Sequence, residues 1–313
     1  MDIRNVVVAG GGVLGSQIAF QIAYKGFHVT VWLRSEGSIG RAKPKFERLR
    51  GIYLNTLEAM KTNPAAYCRG LAPSPDLSAE QIDELKANVE RAFDGIVYTT
   101  SYEEAAKDAD LVIESIAENP QDKIAFYTEL AKHLPEHTIV ATNSSTMLPS
   151  AFAEYTGRPE KYLALHFANE IWRNNTAEIM GHPGTGAEAY DETVAFAEAI
   201  GMIPLKLRKE QPGYILNSML VPFLSAAEAL LATDVADVET IDKTWMLATG
   251  APLGPFRILD IVGLTTAYNI GSMDPRSKDP NTPQGKIAAM LKQYIDEGKT
   301  GINAGEGFYK YGK

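Results

Sequence analysis

The sequence predicts an α/β fold built on a doubly wound parallel sheet, followed by an all-α domain. Three observations carry this expectation. Apolar runs of strand length alternate with helix-patterned segments through residue 208. The first run enters the first helix through a glycine-rich turn. From residue 209 onward the strand patterns stop and only helical ones remain. The expected domains are therefore 1–208 and 209–313, in line with about two domains for a chain of 313 residues.

The opening stretch, Arg4 to Tyr24, sets the frame. Val6, Val7, Val8 and Ala9 form a short apolar run, suited to a strand buried on both faces. Gly10, Gly12 and Gly15 follow at G-x-G-x-x-G spacing, and Ile18, Ala19, Ile22 and Ala23 continue at helical spacing. Gly10 suits the tight turn, Gly12 a close approach of backbone to a pyrophosphate, and Gly15 the packing of helix on strand. The first helical residues, Val13 and Leu14, offer free N–H groups and the positive end of the helix dipole. Strand, glycine turn and helix together point to a Rossmann-type dinucleotide-binding domain.

His28 to Leu33 reads as the second strand. An acidic residue is expected near its end to hold the adenosine ribose of NAD. Leu33, Arg34 and Ser35 stand there instead, and Glu36 lies beyond the usual position. A guanidinium beside a hydroxyl suits a ribose 2′-phosphate, so the cofactor is expected to be NAD(P), with NADP favoured by Arg34 and Ser35. Residues 35–91 are too long for a plain crossover. Phe46, Leu49, Ile52, Tyr53 and Leu57, then Ile82, Leu85, Val89 and Phe93, recur at helical spacing around a proline-marked break. This predicts an inserted helical hairpin. Its basic cluster, Arg41, Lys43, Lys45, Arg48 and Arg50, reads as a solvated helix face or as a contact to a phosphate-bearing ligand.

Strands are then expected at 96–99, 111–114, 138–142, 162–167, 176–180 and 203–207. Parallel strands present their carboxyl ends to the ligand crevice. Glu118 and Lys123, after the fourth strand, are thus placed toward the nicotinamide half. Asn143, Ser144, Ser145 and Thr146 end the fifth, where they can bond a substrate oxygen or cap a helix. His166 ends the sixth strand, and Glu178 lies twelve residues on, in the next. A carboxylate against an imidazole fixes its tautomer and frees the other nitrogen for acid–base work. No group of residues has metal-ligand spacing. The expected C-terminal helices span 214–232, 238–249, 255–270 and 283–297, with Asn217 on an otherwise apolar face.

Taken together, these stretches resemble the 3-hydroxyacyl-CoA dehydrogenase family nearly end to end. The family's AGGGxxG start is matched at Ala9–Gly15, and its E-x-x-x-E-x-x-x-x-K stretch at Glu114, Glu118 and Lys123. Its S/T-N-T/S-S motif is matched at Thr142–Ser145, H-F-x-N at His166–Asn169, and P-G-F/Y-I-x-N at Pro212–Asn217. The run Gly250–Leu264 and the closing Gly305–Tyr311 match as well. The resemblance implies His166 as general acid/base and Glu178 as its orienting carboxylate. It implies Ser145 and Asn217 at the reacting oxygen. Asn143, Asn169, Glu118, Lys123 and Lys299 would meet the cofactor. It also implies a homodimer through the helical domain. The expected reaction interconverts a short 3-hydroxyacyl-CoA and its 3-keto form by hydride transfer with the nicotinamide. The alternative is a free polar hydroxy acid, of sugar-acid or carnitine-like type. The connection Asn169–Asn175 is polar where the family's is largely apolar, which predicts a short or polar substrate end. A non-catalytic dinucleotide sensor is the rival of another class, and such a sensor has no use for the His166–Glu178 pair.

The bulk composition agrees. Net charge is −9, which disfavours a nucleic-acid groove or an anionic membrane face as the main surface. The single cysteine, Cys68, excludes an intrachain disulfide and suits a reducing compartment. The start MDIRN runs straight into a strand pattern without a cleavable-signal pattern, so a cytoplasmic protein is expected.

Overall fold

The computed structural model of the protein describes residues 3–312. Met1, Asp2 and Lys313, the outer limits of the two expected domains, lie outside the described residues. The apolar runs form one eight-stranded sheet. Its strands are β1 (Asn5–Ala9), β2 (His28–Trp32), β3 (Val97–Thr99), β4 (Leu111–Glu114), β5 (Ile139–Thr142), β6 (Tyr162–Phe167), β7 (Thr176–Gly181) and β8 (Ile203–Lys206). Their spatial order is β3-β2-β1-β4-β5-β6-β7-β8. All neighbours are parallel except β6 and β7. The exception has a simple cause: a parallel return needs a crossover of a dozen residues or more, and the connection 168–175 is too short for one. The winding reverses between β1 and β4, where a doubly wound sheet opens its ligand crevice.

Helices cover both faces. On one lie α1 (Val13–Tyr24) and the hairpin α2 (Glu36–Met60) and α3 (Ala79–Gly95). Phe46, Leu49, Tyr53 and Leu57 of α2 are buried at helical spacing, as are Ile82 and Val89 of α3. Ser78 and Gln81 form a reciprocal capping box that starts α3. Buried Gln21 ties the hairpin to the sheet layer. Its Oε1 accepts from Tyr53 Oη at 2.7 Å, and its Nε2 donates to the Gly70 and Ile200 carbonyls, each at 2.9 Å. Against the other face pack α4 (Tyr102–Ala106) and α5 (Pro120–Leu130). The helix α6 (Ala187–Ala199) joins β7 to β8.

The chain divides after Ile215 into two units. The second is all-helical: α7 (Leu216–Ala232), α8 (Val238–Thr249), α9 (Pro255–Val262), α10 (Leu264–Gly271) and α11 (Pro283–Asp296). Leu224, Ile241, Phe256, Leu259, Leu264, Ile287 and Leu291 form its core. Two buried carboxylates organise it. Asp242 accepts from Phe256 N (2.8 Å), Arg257 N (3.2 Å) and Tyr309 Oη (3.0 Å). Asp260 accepts from Phe308 N (2.8 Å), Tyr309 N (3.0 Å) and Tyr311 Oη (2.7 Å), and so pins the closing motif.

Some helix limits depart from the sequence pattern. The helix expected over 255–270 is two helices, because Gly263 adopts φ +92° between them. The helix that carries Lys123 starts at Pro120, behind the Asn119 cap, and ends at Leu130. The helix expected from Tyr214 starts at Leu216, because Gly213 and Tyr214 are both left-handed. Among the described residues, no helix is long and apolar enough to cross a membrane.

Candidate active site

The glycine turn is built by close contacts that exclude side chains. Gly10 has φ +120°, and a Cβ there would lie 2.3 Å from the Ser115 carbonyl oxygen. A Cβ on Gly15 would lie 2.4 Å from the Gly10 carbonyl oxygen, so helix and strand meet backbone to backbone. Gly12, the N-cap of α1, differs: a Cβ there would meet nothing within 4 Å. Open space beside Gly12, the amides of Val13 and Leu14, and no acidic residue in the first turn of α1 fit a pyrophosphate. One basic residue of the hairpin reaches this turn: Lys45 Nζ donates to the Gly11 carbonyl at 2.7 Å. Three others have partners elsewhere. Arg50 pairs with Glu90, Lys43 lies over the Tyr98 ring, and Arg41 donates to Ser38 Oγ at 2.8 Å.

At the ribose corner Leu33 is buried and Arg34 is exposed. Ser35 is the N-cap of α2, its Oγ accepting from Ser38 N at 3.3 Å and lying 3.0 Å from Ser38 Oγ. The Ser35 and Ser38 hydroxyls and the Arg41 guanidinium thus meet at one exposed helix start, whose first turn also carries Glu36.

The carboxyl ends of β4 and β5 hold a buried polar network. Glu114 is fully buried and every oxygen is engaged. Its Oε1 accepts from Lys123 Nζ (2.6 Å) and Ile116 N (2.8 Å), and its Oε2 from Tyr127 Oη (2.7 Å) and Thr142 Oγ1 (2.8 Å). Such satisfaction is what makes a buried ion pair tolerable. Burial, with Glu114 beside it, pushes the Tyr127 phenol well up. Lys123 is only 1% exposed, so its ammonium lies beneath the crevice, between Glu114 and Glu118, the latter at 3.7 Å. Glu118, by contrast, is exposed and shapes the loop after β5. Its Oε2 accepts from Ser144 Oγ and its Oε1 from Ser145 N, each at 2.8 Å. Asn143 is buried, with Oδ1 accepting from Phe167 N at 3.1 Å, whereas Asn169 is exposed.

His166 and Glu178 stand directly opposite each other in the antiparallel β6–β7 ladder. Glu178 Oε2 lies 3.1 Å from His166 Nδ1, and Ser145 Oγ lies 3.1 Å from Nε2. The imidazole is 8% exposed. A carboxylate at Nδ1 selects the tautomer with the proton there, leaving Nε2 as the exchanging nitrogen. The other carboxylate oxygen, Glu178 Oε1, accepts from Ile215 N at 2.8 Å. Carboxylate, imidazole and hydroxyl thus form a line able to move a proton to or from an oxygen held at Ser145.

Several site residues carry only an indirect signal in the sequence, or none. Tyr214 stacks on His166, and its signal is the F/Y position of the motif matched at Pro212–Asn217. Glu114 was visible as a motif member, and Lys45 as one charge of a cluster. Gln17 carried no signal, yet its Oε1 accepts from Glu170 N at 2.8 Å and anchors the connection after His166. That connection buries Ile171 and Trp172, the latter against Tyr53, and turns Asn175 inward, with Nδ2 donating to the Gly201 carbonyl. Glu170, Arg173 and Asn174 are exposed. Two expected residues belong to the second unit. Asn217 is half-buried at the start of α7, and Lys299 pairs with Glu297 at 2.7 Å. Among the described residues, no cluster of metal-ligating side chains occurs.

Resemblance to known proteins runs along nearly the whole chain. The family model described as 3-hydroxyacyl-CoA dehydrogenase, NAD binding domain, matches residues 5–211, and that of its C-terminal domain matches residues 213–311. The mitochondrial hydroxyacyl-coenzyme A dehydrogenase of Homo sapiens is 31% identical over 99% of this chain and 91% of its own length. A probable 3-hydroxybutyryl-CoA dehydrogenase of Bacillus subtilis is 28% identical, over 99% of this chain and 98% of its own. A solved diketoreductase, described as acting on dicarbonyl compounds, is 48% identical, covers 99% of this chain and 100% of its own, and superposes with a TM-score of 0.85. The chain therefore belongs to the 3-hydroxyacyl-CoA dehydrogenase family, as an oxidoreductase that works with a nicotinamide cofactor.

Proposed function

We propose that the protein interconverts a 3-hydroxy and a 3-keto compound, with a short-chain 3-hydroxyacyl-CoA as substrate and His166 as general acid/base. The observation that carries this reading is the line Ser145 Oγ, His166 Nε2, His166 Nδ1, Glu178 Oε2, with both contacts to the ring at 3.1 Å. In the oxidising direction, His166 Nε2 takes the proton of the 3-hydroxyl while Ser145 Oγ holds the same oxygen. In the reducing direction the proton returns. Glu178 stabilises the imidazolium formed in between. The bound nicotinamide supplies or accepts the hydride. Gly10, Gly12, Val13, Leu14 and Gly15 hold its pyrophosphate, and Asn143, Asn169 and Glu118 border its nicotinamide side. Lys123 acts from beneath, by holding Glu118.

A second reading, a free dicarbonyl or polar hydroxy acid instead of a CoA thioester, is favoured by the similarity to the diketoreductase. Arg34, Ser38 and Arg41 at the start of α2 support NADP over NAD. The helical unit supports a homodimer, since Met219, Leu247, Ile261 and Met273 are each more than half exposed.

The test follows NADH and NADPH oxidation with 3-ketoacyl-CoA esters from C4 to C10 and with free dicarbonyl acids. Greatest kcat/KM is expected for the C4 thioester, and a tenfold rise toward C10 would overturn the short-chain reading. His166→Gln is expected to lower turnover by roughly 10²–10⁴ and leave dinucleotide affinity within a few-fold. More than about a tenth of wild-type turnover in this variant would remove His166 from the mechanism.

A further inference from the structure

The segment 211–215 closes over the His166–Glu178 pair in a way the acid–base reading does not call for. Gly213 and Tyr214 are both left-handed, with φ +79° and +55°. Glycine adopts this conformation freely, whereas a tyrosine holds it only where its surroundings over-determine it. Here they do. The Tyr214 ring lies face to face with the His166 imidazole, with centroids 4.4 Å apart and planes 14° from parallel. Its Oη donates to the Ser144 carbonyl at 2.7 Å. The next amide, Ile215 N, donates to the Glu178 oxygen that His166 does not use. One turn thus grips the imidazole face, the carboxylate and the residue preceding Ser145.

The β6–β7 ladder fixes the backbones of His166 and Glu178, yet leaves the imidazole's χ2 to be settled by packing, since that torsion has a broad well. Rotation about χ2 would carry Nδ1 off Glu178 and Nε2 off Ser145 together. A flat ring pressed on the imidazole face opposes it. The electron-rich face also favours the cationic ring that exists while His166 carries the second proton.

We propose that Tyr214 is the positioning residue of this site: its ring face holds the imidazole plane in line with Glu178, Ser145 and the reacting oxygen. The inference rests on the reading of His166 as the acid/base. On this account the planar face matters and the hydroxyl serves only as a tether. Tyr214→Phe should keep kcat within about threefold, while Tyr214→Leu and Tyr214→Met should lower kcat about tenfold or more, with KM and dinucleotide affinity within about threefold. Retention of kcat within threefold by an aliphatic variant that binds dinucleotide normally would overturn the proposal. A Phe variant as impaired as Leu would do the same. Loss of dinucleotide binding in both aliphatic variants would also overturn it, since Tyr214 would then be a packing residue. His166→Gln is measured alongside. An active His166→Gln enzyme removes the underlying acid–base reading, whereas an inactive one beside an active Tyr214→Leu enzyme removes only this inference.

Discussion

At the residue scale, the site depends on which atoms of a side chain are already committed. Glu118 uses both carboxylate oxygens to hold residues 144 and 145, and Ser35 uses its hydroxyl as a helix cap. Arg34 is exposed at the ribose corner, near where an acidic side chain would repel a phosphate. An arginine–phosphate hydrogen bond of about 1.5–3 kcal/mol corresponds to roughly a ten- to hundredfold preference for NADP(H). Arg34→Ala should erase most of that preference, measured as the ratio of kcat/KM values for the two cofactors. Equal or better use of NAD(H) by the wild-type enzyme, or an unchanged ratio in the variant, would show that Arg34 is only a surface charge.

At the scale of elements, α7 carries a group at odds with its surroundings. Glu228 is buried in the helical unit, and its Oε1 has no hydrogen-bond partner. Burial raises its pKa from 4.5 to about 7. A raised folded-state value means that folding binds a proton. The stability this contributes is fully present below the unfolded value and is lost as pH rises through about 7. Glu228→Gln keeps the shape without the charge. Its melting temperature should exceed that of the wild type at pH 8, by the equivalent of on the order of 2 kcal/mol, with the gap closing at pH 5. A constant difference across that range would mean the carboxyl is not what the pH change acts on.

At the scale of the whole molecule, the sheet brings the ends of β1, β4, β5 and β6 to one side, so residues far apart in sequence meet. Thr142 and Glu114 touch, as do Ser145 and His166. The helical unit has its own core and its own buried carboxylates, and it leaves large apolar side chains at the surface. A second copy of the chain is the occupant expected there. Sedimentation equilibrium should therefore give a dimer at micromolar concentration, and Leu247→Glu combined with Met273→Glu should shift it toward monomer. A wild-type monomer under these conditions would refute the homodimer.

What the sequence by itself determined is what local physics decides. The Val6–Ala9 run, the glycine spacing and the helical spacing of Phe46, Leu49, Tyr53 and Leu57 each have one favourable local conformation, and the elements form where those patterns predict. The pairing of His166 with Glu178 was legible too, because two strands joined by so short a connection must lie antiparallel. What only the tertiary structure decided is where polar groups end up once neighbours compete for them. Lys123 sinks against Glu114 because a buried carboxylate with four donors outweighs exposure to the crevice. Asn175 turns to the Gly201 carbonyl, while its neighbours Arg173 and Asn174 stay at the surface. Tyr214 leaves the helix its spacing suggested, because its ring, its hydroxyl and the following amide all find partners in the sheet layer. Those partners lie 37 to 70 residues away in the chain, and no local pattern encodes contacts at that separation.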